Sequence, residues 1–144
     1  MVGIVAGLLA GLVLVAFSAW LTKKQAHALR SDRVCAAQIE INFWCAYLIV
    51  AAAIYVAFAL REAGEGWMTL ELVGMLGYSI LALAGLKRPW ALALGWGLHA
   101  LWDVVIHAGV PGEFVPSWYR WACLTYDVGA AYYVLIVASR LRRN

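Results

Sequence analysis

The sequence predicts an all-α integral membrane protein, a bundle of five transmembrane helices with its N-terminus outside and its C-terminus cytoplasmic. Three observations predict it. Hydrophobic residues make up 65% of the 144-residue chain and charged residues only 13%, about half the roughly 25% charge of ordinary globular proteins. So few charges cannot clothe a surface in water, so lipid is the solvent. Second, the apolar residues gather in five runs at about 2–21, 39–60, 67–86, 90–109 and 117–139. Each is close to the ~20 residues that cross a bilayer core of about 30 Å as a helix. Third, nine of the eleven basic residues border these runs in three places, at Lys23, Lys24, Arg30 and Arg33, at Lys87 and Arg88, and at Arg140, Arg142 and Arg143. With the first run entering from outside, all nine are cytoplasmic and only Arg61 and Arg120 are external, as the positive-inside rule requires.

The first run has no positive region ahead of it, and Lys23 and Lys24 follow it. It reads as a retained helix rather than a signal peptide. Gly3, Gly7 and Gly11 repeat every four residues, a spacing that lets another helix approach closely. Packing within the chain is the first use expected, and contact with another subunit of an oligomer or larger complex the second. The stretch LTKKQAHALRSDRV (21–34) reads as a basic cytoplasmic loop. The second run opens near Glu40 and Asn42. Glu40 is expected to be interfacial or paired with the basic loop, and Asn42 to hydrogen-bond between helices. REAGEG (61–66) should be external. The third run carries Glu71 about a turn inside, where it is free to snorkel. Pro89 suits the first turn of the fourth helix. The connection VPGEFVPS (110–117) carries no positive charge and should be external. The fifth run ends in RLRRN, inside. Trp20, Trp67, Trp90 and Trp118 sit at run ends, where amphipathic rings favour the headgroup region. No internal repeat, low-complexity tract or second domain interrupts the chain, which reads as one domain over 1–144 in a bacterial inner-type membrane.

The net charge of +3 comes from these topogenic groups and argues against nucleic-acid binding. Cys35, Cys45 and Cys123 form no CxxC pair, so neither a disulfide framework nor a zinc knuckle is expected.

The chemistry concentrates in LHALWDVVIHAG, residues 98–109. Ionisable groups are costly in a bilayer, ~2.5–3.5 kcal/mol on insertion scales, so they tend to face the bundle interior and find partners. His99, Asp103 and His107, four apart, share one face of an ideal helix. On the fifth run Arg120, Cys123 and Asp127 lie at i, i+3 and i+7, again one face. If the faces meet, a polar site opens toward the outside, with Glu71 near it.

The first functional expectation is metal binding through His99, Asp103, His107 and Asp127, with Glu71, Arg120 and Cys123 as further members of the polar site. His and carboxylate ligands suit Zn²⁺, Fe²⁺ or Mn²⁺. His99 and His107 lie about 12 Å apart along an α-helix, so one ion does not take both. One histidine is then an outer partner, or Asp103 bridges two ions. No haem is expected. Trp96, Trp102, Tyr119 and Tyr126 are expected as walls of a pocket for a small or lipid-soluble ligand, and whether the protein acts on that ligand as an enzyme is left open. The alternatives are a proton-coupled carrier, a ligand-binding membrane protein, and a structural subunit of a larger complex. The simplest non-functional arrangement pairs Asp103 with Arg120 and Asp127 with a histidine, for ~0.6–2 kcal/mol each.

Overall fold

The computed structural model describes residues 2–62, 66–107 and 115–142, and within them the chain is all-helical. The helices are α1 (Val2–Leu29), α2 (Arg33–Glu62), α3 (Trp67–Gly85), α4 (Pro89–Leu101) and α5 (Ser117–Arg142), with a π-helical segment, Trp102–Ile106, continuing α4. Five helices are long and apolar enough to cross a membrane, the fourth counted through Ile106. Much of the two expected external connections (63–65 and 110–114), the end of the fourth run (108–109) and Arg143 lie outside the described residues.

The stretch read as a basic loop is largely helix. α1 runs on through Lys23, Lys24 and His27 to Leu29, 28 residues in all, or about 42 Å, longer than the hydrocarbon core. Neither glycine nor proline interrupts residues 21–34, and Lys, Gln, Ala and Leu favour helix. The polarity of this stretch marks where the helix leaves the apolar span, not where it stops. The turn itself is short. Arg30 N–H closes α1 onto the Ala26 carbonyl. Asp32 caps α2, its Oδ1 accepting from the Cys35 N–H at 2.8 Å. That hydrogen bond holds the Asp32 carboxyl below its ordinary range. At the next described turn the Lys87 and Arg88 N–H groups return to Ala84, and Pro89 starts α4.

α1 packs mainly along α5, α2 along α3, and α4 along both α3 and α5. Gly7 and Gly11 explain the first contact. A Cβ on Gly7 would strike the Trp118 carbonyl, and one on Gly11 the Ala122 carbonyl and the Thr125 hydroxyl. Thr125 Oγ1 donates to the Leu8 carbonyl at 2.9 Å across the same contact, and Tyr126 OH to Ser18 Oγ at 3.1 Å. The first two glycines that face inward therefore serve packing inside the chain and are not open to a partner subunit. Gly3 alone of the three has nothing within 4 Å.

The distribution of polarity is inverted relative to a protein in water. Leu76, Leu83 and Val13 are 62%, 60% and 68% exposed, while Glu40, Glu71, His99, Asp103, His107 and Asp127 are all buried. Trp90 and Trp118 are exposed at helix ends and Trp20 is exposed along α1, which runs nine residues past it, whereas Trp44 and Trp96 are fully buried. Those two rings, 5.9 Å apart, pack with Tyr126 at the centre of the bundle. Near the other end of the bundle, Glu40 takes Tyr133 and Arg140 of α5 rather than the basic stretch before α2. Asn42 bonds within α2 to Gln38, and it is Gln38 that reaches across to the Leu86 carbonyl.

Candidate metal centre

α4 and α5 bring three buried ligands together. His99 Nδ1 and Asp127 Oδ2 share a hydrogen bond of 2.7 Å, and the same nitrogen stands 3.8 Å from Asp103 Oδ1. One ligand atom from each of His99, Asp103 and Asp127 lies within 4.8 Å of the others. Glycine 95 allows the close approach of α4 to its neighbours, since a Cβ there would meet Leu48 and Leu81. Tyr78 of α3 donates to the Leu98 carbonyl at 3.2 Å and packs edge-on against His99.

The charge balance of this cluster needs a cation or a proton. Two adjacent buried carboxylates repel each other, and both lose the hydration that stabilises their charge. Asp127 is satisfied by His99. Asp103 is less well paired: neither of its oxygens makes a close hydrogen bond among the described residues, and its polar neighbours, the Tyr55 hydroxyl, Asp127 and His99, stand at longer range. Buried polar atoms in native proteins are nearly always paired, and an orphaned carboxylate marks a place for an ion or water. A tetrahedral cation with ligands near 2.1 Å separates its donors by about 3.4 Å. To meet that spacing the His99 and Asp127 atoms, 2.7 Å apart, must part and Asp103, 3.8 Å from His99 in a group that spans up to 4.8 Å, must draw in.

His107 does not join this cluster. Its Nε2 donates to Glu71 Oε1 at 2.8 Å, and Trp102 Nε1 donates to Glu71 Oε2 at 3.4 Å. The helix passes through a π-helical segment, Trp102–Ile106, before His107, and residues eight apart lie about 12 Å apart along a helix axis, which puts His107 within reach of Glu71 on α3 rather than of Asp127. Glu71, expected to snorkel, is buried instead by this pairing. Tyr55 separates the two clusters. Its ring stacks on His107 at 4.6 Å and meets His99 edge-on at 5.6 Å. Arg120 pairs with neither aspartate; its guanidinium donates to the His107 carbonyl, tying α5 to the end of the π segment.

Of the four expected pocket walls, Tyr119 and Tyr126 line a cavity of about 360 Å³ between α1, α2 and α5. Cys123 and Asp127 line it too. Trp96 packs in the core and Trp102 against Gly74 and Glu71, away from it. Tyr55 is the functional candidate that sequence reasoning passed over. Its signal was a hydroxyl in the middle of an apolar span, a polar tip that needs a partner when buried.

A bundle that hides acids and histidines and turns leucine and valine outward is a polytopic membrane protein, here with a His–Asp–Asp group able to hold a metal. The model of the family described as "Family of unknown function (DUF6010)" matches residues 33–140, and the chain belongs to that family. The match spans α2 to α5 and contains both His–carboxylate clusters; α1 precedes it. No curated protein and no solved structure matches the chain.

Proposed function

We propose that this protein is a metal-binding membrane protein in which His99, Asp103 and Asp127 hold one divalent transition cation, Zn²⁺, Fe²⁺ or Mn²⁺. The observation that carries the reading is the fully buried Asp103 carboxylate, in no close hydrogen bond among the described residues, beside a second carboxylate and a histidine. A divalent ion balances both negative charges and gives Asp103 a partner. Three protein ligands leave a position open, the arrangement of a catalytic rather than a structural site. Such an ion supplies Lewis-acid or redox chemistry to whatever binds there. Glu71 and His107 form a separate dyad behind Tyr55. The test is elemental analysis of protein purified in mild detergent without chelators. About one equivalent of a single transition metal per chain is expected, and a metal-free preparation would overturn the reading.

The stacked order Glu71, His107, Tyr55, then Asp103 supports a second reading, a proton-exchange path through the bundle. Carboxylate and histidine chains inside membranes mark such paths. A metal-free protein that dissipates a pH gradient when reconstituted would favour it.

The proposed orientation in a bacterial inner-type membrane, N-terminus outside, rests on the basic clusters. It places the metal site near mid-membrane and the Glu71–His107 dyad nearer the outer face. Cys35 is exposed and precedes the apolar part of α2, so it serves as an internal reference. With a membrane-impermeant maleimide, Gly64→Cys is expected to react from outside and Cys35 only from the cytoplasm. The reverse pattern would invert the topology.

A further inference from the structure

The cavity between α1, α2 and α5 is continuous with the metal site, because Asp127 belongs to both. Its mouth opens sideways. Leu14, Val50, Ile54 and Trp118 line it and are exposed on the outside of the bundle, a surface that faces acyl chains when the helices span a bilayer. Its walls are almost wholly apolar, and Cys123 and Asp127 are among the residues that line it. A lateral, apolar opening with a buried acid in its lining matches an amphiphile entering from the membrane, tail along the walls and head toward Asp127.

We propose that this groove binds a neutral, single-chain, oxygen-headed lipid, an alcohol, aldehyde or ketone, with its oxygen beside Asp127. The inference rests on the metal reading and names the substrate class of that same site. Charge selects the head. Among the described residues no Lys or Arg lines the groove. With a divalent ion balancing Asp103 and Asp127, a phosphate or carboxylate head would be a buried, unpaired anion, and an ammonium head would find no free negative charge. A neutral carbonyl or hydroxyl oxygen brings only a lone pair, which suits the open position of a three-ligand cation. Size selects the tail. A volume of about 360 Å³ lies at the small end of ligand sites, roughly 300–1,000 Å³, and suits one chain rather than the two of a bilayer phospholipid.

The test uses the full chain in phosphatidylcholine vesicles with a hexadecanol that carries a diazirine in its tail. After irradiation, adducts are mapped by mass spectrometry, and metal content is measured on the same samples. Adducts are expected on Leu14, Val50 and Ile54 in preference to the more exposed Leu76 and Leu83 of α3. Unlabelled hexadecanol should suppress them at least tenfold, while hexadecyl phosphate at the same concentration should not. Ala51→Trp, which fills the groove from α2, should lower adduct yield comparably with metal per chain unchanged, and Ala10→Phe should do so from α1. Even labelling of α3 and the groove overturns the proposal. So does equal competition by the phosphate, or full labelling in both filled variants. Selective labelling of a metal-free chain would overturn the metal reading while leaving the groove; a metal-loaded chain with unselective labelling would do the reverse.

Discussion

Changing Asp103 to Asn is expected to strip the metal and leave the fold standing. The amide keeps the shape of the side chain and removes its charge. In the wild type that side chain is fully buried, with neither oxygen in a close hydrogen bond among the described residues, so on the metal reading proposed above the cation would be its main compensation. Losing an outer partner of a metal ligand weakens binding by about 10–100-fold; losing a ligand that also carries half the neutralising charge should exceed that, at least about 100-fold. Metal should fall from about one equivalent to below a tenth after dialysis against a weak chelator. The metal-free variant should unfold no earlier than metal-free wild type, because an uncompensated buried charge has been removed rather than created. Asp127→Asn provides the contrast. It also disturbs the 2.7 Å bond to His99, so it should lose metal and stability together. An Asp103→Asn protein that retains its metal would remove Asp103 from the ligand set.

The second large effect is expected at Gly11. A leucine there has no room, because even its Cβ would collide with the Ala122 carbonyl and the Thr125 hydroxyl of α5. Overpacking a tight contact costs ~1–3 kcal/mol where side chains can give way. Here the obstruction includes backbone, so α1 must move away from α5 and the Thr125–Leu8 hydrogen bond across the contact is lost. The expected destabilisation is therefore at or above the top of that range. It is read as a lowered midpoint of unfolding in SDS added to mild-detergent micelles. Gly3→Leu is the control, since that position faces open space, and its midpoint should match wild type. If Gly11→Leu unfolds with the control, α1 does not dock on α5 as described.

The elements most legible in the sequence were those set by local composition. An apolar run near 20 residues long must satisfy its backbone internally, and a helix does so whatever its neighbours are. The roster of buried polar residues was legible for a related reason. Glu71, His99, Asp103, His107 and Asp127 were conspicuous because each is costly in hydrocarbon. What was misjudged locally was the end of α1. Charge density was taken as a sign of loop, although Lys, Gln and Ala continue a helix comfortably outside the apolar span.

Sequence alone thus determined five apolar helices and the short list of residues from which a site could be made. Tertiary structure alone decided their partners. The His99–Asp127 bond joins residues 28 apart in the chain, and its formation depends on how α4 and α5 are rotated and docked, which no single helix encodes. His107 shares the four-residue spacing but not the site. The helix passes into a π-helical segment, Trp102–Ile106, and His107 meets Glu71 on α3 while His99 meets Asp127 on α5, because residues eight apart lie about 12 Å apart along a helix axis and so face different parts of the neighbouring helices.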